Sequence, residues 1–190
     1  MDADALQKLI HLLKATDDPL IQEQALIALS NSAAFSVNQE IIRNLGGLSV
    51  IGGMLLDCAP AVKEKALNAL NNLSMNIKNQ EEIQIQVLKV LVNLSANPAT
   101  RRHFLKAQVP SLLSFFDNCI NRDILLRALV FAANLKKNVN NEDGITTEDE
   151  YSEDSVFSML CRDSAAFAQK LASLLHHPDT DVKEQVVRIL

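Results

Sequence analysis

Tryptophan is absent from the 190 residues, tyrosine occurs once, and aromatics make up only 4% of a chain that is 48% hydrophobic. The apolar content is therefore mostly Leu, Ala, Ile and Val, which suits helices stacked on one another. It also leaves few flat rings on which nucleic-acid bases could stack. The chain has no basic, aromatic-interleaved stretch, and its formal charge is −5, so phosphate tracking is poorly served and no nucleic-acid partner is expected. Cysteine is limited to Cys58, Cys119 and Cys161, odd in number and far apart. That spacing argues against a disulfide framework and against a C-x-x-C metal or redox motif, and points to a reducing compartment. No apolar run approaches the roughly 20 residues of a membrane-spanning helix. The opening Met1-Asp2-Ala3-Asp4 lacks the basic and apolar regions of a signal peptide, so a membrane anchor is expected only outside this sequence.

What the chain does have is a recurring seven-residue phrase. It reads ALIALSN at Ala25–Asn31, ALNALNN at Ala66–Asn72, VLKVLVN at Val87–Asn93 and ALVFAAN at Ala128–Asn134, in steps of 41, 21 and 41 residues. Helical apolar spacing with a period near ~40 is the mark of an armadillo or HEAT solenoid. Such repeats build binding surfaces rather than catalytic pockets. The expected fold is all-α, an armadillo-repeat right-handed superhelical solenoid with one shortened repeat in the middle.

Repeats are expected at about 4–35, 36–78, 79–98 (shortened), 99–138 and 156–190 (truncated), within one domain covering 1–190. The first has an amphipathic stretch, Leu6 to Ala15, and a helix entered at Pro19, where the missing N–H costs nothing. The second is the most complete. A short helix near Asn38–Leu45 meets Gly46-Gly47, a helix covers Leu48–Leu56, and a long helix runs from Ala61 to Ser74. Glycine at that junction supplies the backbone freedom for a sharp turn. After Asn79-Gln80, which parallels Asn38-Gln39, the chain goes almost directly into the next phrase, so one helix is expected from about Gln80 to Ala96. The lost half-repeat is either a natural two-helix unit or an internal deletion that joins two repeats in phase. The following unit is read as Arg101–Ala107, Ser111–Cys119 and a long helix from Arg122 to Lys137. The last is read as Ser164–Leu175 and Pro178–Leu190, truncated within its long helix.

Residues 139–155 are expected to form an acidic flexible loop. Between Glu142 and Asp154 stand seven acids and no base; without them the chain holds 18 bases against 16 acids, a net +2. Loops of this length without structure are usually functional or disordered.

Several stretches resemble one armadillo family closely. They are ALIALSNSAAFSVNQEIIRNLGG (Ala25–Gly47), VKEKALNALNNLS (Val62–Ser74), VLKVLVNLSANPA (Val87–Ala99), LKAQVPS (Leu105–Ser111) and HHPDTDVKE (His176–Glu184). The family comprises armadillo repeat-containing protein 10, the X-linked armadillo proteins and the G-protein-coupled-receptor-associated sorting proteins. Its members have an intact repeat where this chain takes its 21-residue step. The resemblance implies a non-catalytic adaptor in mitochondrial transport and dynamics, linked to mitochondrial Rho GTPases and kinesin adaptors. It also implies a cytosolic domain whose full-length relatives are anchored to the mitochondrial outer membrane. The alternatives it implies are a sorting adaptor for receptor tails, or a regulator of transcription factors or cell growth.

In armadillo solenoids the long third helices line a concave groove. Asn31, Asn72, Asn93 and Asn134 fall at one position of that helix and so form a ladder. An Asn amide can both donate and accept, so the ladder can clamp an extended peptide or bond the carbonyls of a neighbouring repeat. One turn back stand Ile27, Asn68, Lys89 and Val130, with Arg188 projected from the last repeat. Two turns back stand Gln24, Lys65, Gln86, Arg127 and Gln185. Import-receptor grooves pair Trp with acids; this set has neither, which argues against nuclear-signal binding. The protein-binding residues expected are therefore Asn31, Lys65, Asn68, Asn72, Lys89, Asn93, Arg127 and Asn134. Their cations, with Arg188, favour an acidic ligand, for which the acidic run at 142–154 is a candidate in cis. Self-association is a further expectation, through the apolar end of the last helix at Val186, Val187, Ile189 and Leu190.

Catalysis is not expected. His11, His103, His176 and His177 have no Asp or Cys at the spacing of a metal or nucleophilic site. Gly46-Gly47 and Gly52-Gly53 make neither a G-x-G-x-x-G nor a P-loop pattern. No cofactor and no metal are expected.

Overall fold

A computed structural model describes residues 1–57, 59–117, 121–139, 151–162 and 164–190. The described residues form eleven α-helices, one 3-10 helix at Leu112–Phe116, and no strand beyond an isolated antiparallel bridge between Gln108 and Ser155. In chain order the helices are α1 Ala3–Ala15, α2 Pro19–Ser32, α3 Ser36–Asn44, α4 Gly47–Asp57, α5 Pro60–Leu73 and α6 Ile77–Ser95. They continue with α7 Pro98–Lys106, α8 Arg122–Val139, α9 Val156–Leu160, α10 Ala165–Leu174 and α11 Thr180–Ile189. The chain packs as two compact units, Met1–Val90 and Leu91–Leu190.

Helix starts follow local capping chemistry. Asp2 accepts from the Ala5 N–H at 2.8 Å and Asp18 from Leu20 at 2.9 Å, and Pro19 and Pro60 open their helices. A side-chain oxygen at this position satisfies one of the four N–H groups that the first turn leaves unpaired. Asn97 caps α7 through the Ala99 N–H at 3.0 Å, so α7 begins at Pro98, ahead of the Arg101 expected from the apolar pattern.

Helix ends are closed by the helix that follows. The Asn38 and Gln39 amides on α3 donate to the Ser32 and Ala33 carbonyls at 2.9 and 2.8 Å. One repeat later, Asn79 and Gln80 on α6 donate to the Leu73 and Ser74 carbonyls at 3.0 and 3.1 Å. Thr100 on α7 does the same for the Leu94 carbonyl. Each bond spans six residues and satisfies a carbonyl that the last turn of a helix cannot pair internally.

In the first unit the apolar positions of each helix recur at spacings of three and four and face inward. Leu6, Ile10 and Leu13 on α1, Leu26 and Leu29 on α2, Ile42 on α3, Ile51 on α4, and Ala66, Leu70 and Leu73 on α5 are buried in one core. Burying a Leu or Ile of this kind stabilises the fold by about 1.5–3 kcal/mol. The α3–α4 corner turns at Gly46, whose φ of +70° is the left-handed conformation that side chains resist. Counting 41 residues on from Gly46 reaches Val87. A β-branched residue does not take that conformation, so the backbone continues and α6 is one helix of 19 residues. The single helix expected after Asn79-Gln80 is therefore found, with a start at Ile77 that matches Ser36 of α3. Gln86 of α6 lies against Gly52 of α4 so closely that a β-carbon on Gly52 would stand 2.6 Å from Gln86 Cγ.

The second unit is less regular. The stretch expected as a helix over Ser111–Cys119 is a 3-10 helix at Leu112–Phe116, and residues 118–120 lie outside the described set. The Ser114 hydroxyl donates to the Ser111 carbonyl at 2.7 Å, three residues back, which matches the tight 3-10 turn. Large rings fill this core: Phe104 meets Phe131 edge-on at 5.6 Å, and Phe116 meets Phe167 at 5.0 Å. Residues 140–150, which hold most of the acidic run and the expected flexible loop, are also outside the described set. Beyond them the chain is held firmly. Tyr151 stacks on Phe157 at 4.3 Å, the Val156 N–H donates to the Ala107 carbonyl at 2.9 Å, and Ser155 caps the short α9, an element the repeat did not announce. Asp117 pairs with Lys170, and Arg122 pairs with Asp179 and Asp181. Arg122 holds the Asp179 carboxyl below its ordinary range.

Candidate functional site

The candidate residues fall on the long helices, and each unit presents its own set. On α5, Lys65, Asn68 and Asn72 share one face, and on α2, Gln24, Ile27 and Asn31 do the same. Asn68 and Asn31 are exposed. Asn72 is half-buried: its amide donates to the Ser30 carbonyl at 3.0 Å and to the Ser30 hydroxyl at 3.2 Å, tying α5 to α2 across 42 residues. The Asn72 backbone carbonyl accepts from Gln39 at 3.2 Å, and Arg43 donates to the buried Asn79 at 2.9 Å, so α3 and α6 join the same polar tie. Lys65 is held by Glu64 at 3.0 Å, and that hydrogen bond raises its pKa above the ordinary lysine value. Lys89 on α6 donates to the Gln86 side chain at 3.0 Å.

In the second unit Asn134 repeats the role of Asn72. Its amide donates to the Val92 carbonyl at 3.2 Å and to the Ser95 hydroxyl at 3.0 Å, which ties α8 to α6. Ser95 is fully buried, so this bond satisfies a polar group that has left water. Asn93 is exposed. Arg127 donates to the Asp123 carbonyl at 2.9 Å and pairs with its carboxylate at 3.5 Å. The four-Asn ladder thus divides in two: Asn72 and Asn134 bond within the fold, and Asn31 and Asn93 face outward. In the same way Lys65 and Arg127 spend charge on acids of their own helix, one and four residues away.

A groove of about 650 Å³ lies between α8 and α11. It brings together four residues that the repeat register placed at groove positions: Val130, Asn134, Gln185 and Arg188. It also adds Lys136 and Lys137, which repeat counting had passed over. Lys137 sits three residues beyond Asn134 and therefore on its face, which is the signal that could have found it.

The one described cysteine is not activated. Cys161 is a free thiol, half-buried, and burial pushes its pKa up to about 12, with Lys136 opposing the shift weakly. A thiol in that state is neutral and unreactive near neutral pH. Cys58 and Cys119 lie outside the described residues. Among the described residues, no group of three or more His, Cys, Asp or Glu is placed to hold a metal ion, and no helix is long and apolar enough to cross a membrane.

Solved structures similar to this chain include designed armadillo repeat proteins. A designed armadillo repeat protein solved in complex with the peptide (KR)4 is 17% identical; the match covers 98% of this chain and 80% of that one, at a TM-score of 0.44. A second designed armadillo repeat protein is 18% identical over 98% of this chain and 81% of its own, with a TM-score of 0.45. A computationally designed armadillo protein for modular peptide recognition is 16% identical over 98% and 81%, with a TM-score of 0.44. The armadillo-like family model matches residues 1–85 and 80–161. With most of the chain covered by that model and the helices repeating as described, this all-α protein belongs to the armadillo-like family.

Proposed function

We propose that this chain is a non-catalytic scaffold that holds an extended segment of a partner protein along its long-helix faces. The observation that carries the reading is the division of labour among the asparagines. Asn72 and Asn134 fix neighbouring helices, which keeps the adjoining polar side chains in register. Asn31, Asn68 and Asn93 are left exposed beside them, with amides that can pair with a peptide backbone.

The close resemblance of Ala25–Gly47 and the other quoted stretches to the X-linked armadillo group supports a finer reading. On it, the chain is an adaptor in mitochondrial transport, with a mitochondrial Rho GTPase and kinesin adaptors as partners. The test is calorimetric titration of a purified mitochondrial Rho GTPase into the whole chain, beside an Asn31→Arg/Asn68→Arg variant. Both side chains are exposed, so folding should be unaffected. Saturable binding that the variant weakens supports both readings. Equal binding by the variant keeps the partner and moves the surface elsewhere. No binding removes the mitochondrial assignment and turns attention to receptor tails.

A further inference from the structure

The α8–α11 groove has a chemistry that narrows what it can hold. Its floor is apolar, from Val130, Ala133 and Ile189, and Asn134 and Gln185 place amides along it. At its edges are the cations Lys136, Lys137 and Arg188, and among the described residues no acidic side chain lines it. Lys137 and Arg188 are exposed, and among the described residues neither has an ion pair. Among the described residues the Arg188 guanidinium reaches the neutral Gln185 side chain, at 3.5 Å, the outer limit of a hydrogen bond.

Several cations elsewhere are already engaged. Lys8 is held by Asp4, Arg43 by Glu40, Lys65 by Glu64 and Arg127 by Asp123. The groove along α1 shows the contrast: it carries Lys8 and Lys14, but Asp4 takes up the first. The positive field at α8–α11 is also local. The whole chain carries −5, so an anionic partner gains nothing from the overall charge and must be drawn by this site.

We propose that the α8–α11 groove is a docking site for an acidic, extended peptide segment of a partner protein. The segment's carboxylates meet Lys137 and Arg188, its backbone pairs with the Gln185 amide, and its side-chain stems lie on the apolar floor. Arginine and carboxylate make the stronger, charge-assisted kind of hydrogen bond, while Asn134, tied to Val92 and Ser95, holds the groove wall in place. This rests on the scaffold reading and gives that reading a location and a partner chemistry.

The experiment titrates fluorescein-labelled peptides of alternating Glu-Ala, Gln-Ala and Lys-Ala onto the full chain and follows anisotropy at low salt. A Lys137→Glu/Arg188→Glu variant is measured beside Lys14→Glu/Lys78→Glu, which changes the net charge equally at exposed positions of the first unit. Circular dichroism checks that both remain helical. The expected result is saturable binding of the Glu-Ala peptide alone. It should weaken about tenfold or more in the groove variant, and stay within about twofold in the control. Equal weakening by both variants would mean bulk charge rather than a site, and would overturn the proposal. So would the absence of saturable Glu-Ala binding, or binding that inorganic phosphate abolishes at concentrations where chloride does not. If the Gln-Ala or Lys-Ala peptide binds instead, or the GTPase binds the groove variant unchanged, this groove is discarded and the scaffold reading stands.

Discussion

The two units solve the same packing problem with different side chains. Seven of the eight aromatic residues lie in Leu91–Leu190; the one in Met1–Val90, Phe35, is 67% exposed and serves no core. The buried core of the first unit is Leu, Ile, Val and Ala, with Met54 packed against it, on helices of 9 to 19 residues that repeat in phase. The second contains a five-residue 3-10 helix and a five-residue α9, and uses edge-to-face phenylalanines between α7 and α8 and between the 3-10 helix and α10. Regular helices present evenly spaced ridges that small aliphatic side chains fill. Where short elements interrupt such ridges, a ring fills more volume from a single attachment point. Aromatic content here tracks irregularity, not importance.

This comparison can be broken in three places. The largest effect is expected from Phe116→Ala, which empties a fully buried ring position and should cost about 3–5 kcal/mol. Hydrogen exchange read by mass spectrometry should show the loss of protection confined to residues 91–190. Equal loss across 1–90 would mean that the units unfold as one cooperative block. The next is Gly52→Val in the first unit, where the new side chain must displace Gln86; about 1–3 kcal/mol is expected, read as a lower urea midpoint. An unchanged midpoint would show that α4 and α6 approach less closely than described. The smallest contrast separates two asparagines at the same repeat position. Asn72→Ala should cost about 1 kcal/mol through its lost bonds to Ser30, while the exposed Asn31→Ala should stay within about 0.5 kcal/mol. Equal costs would undo the distinction between tying and outward-facing positions.

The period made the regular part of this molecule readable. It located the long helices, the Gly46 corner and the uninterrupted α6, because local backbone preference and the apolar repeat agree there. It failed where neighbours decide. The run Leu112-Leu113-Ser114-Phe115-Phe116 is apolar enough to suggest an α-helix, and the Ser114 hydroxyl helps hold it as a tighter one. Short α9 follows a strongly acidic run and has too few residues to show a helical period. The candidate positions were legible only as equivalent sites along the chain. Which asparagine bonds inward depends on Ser30 and Ser95, residues 42 and 39 positions away. Lys137 gained meaning only when α11 brought Arg188 to the same groove.

The amides that close each long helix also say where this chain can be divided. Asn38-Gln39 finish α2 and Asn79-Gln80 finish α5, although both pairs belong to the next helix. A cut through the turns at Ala34–Phe35 or Met75–Asn76, at the visible end of a module, would strip the preceding helix of its cap. A cut placed after Gln39 or Gln80 would carry the cap with it. Any recombination or trimming of these repeats therefore has its natural seam several residues downstream of the visible turn, inside the following helix.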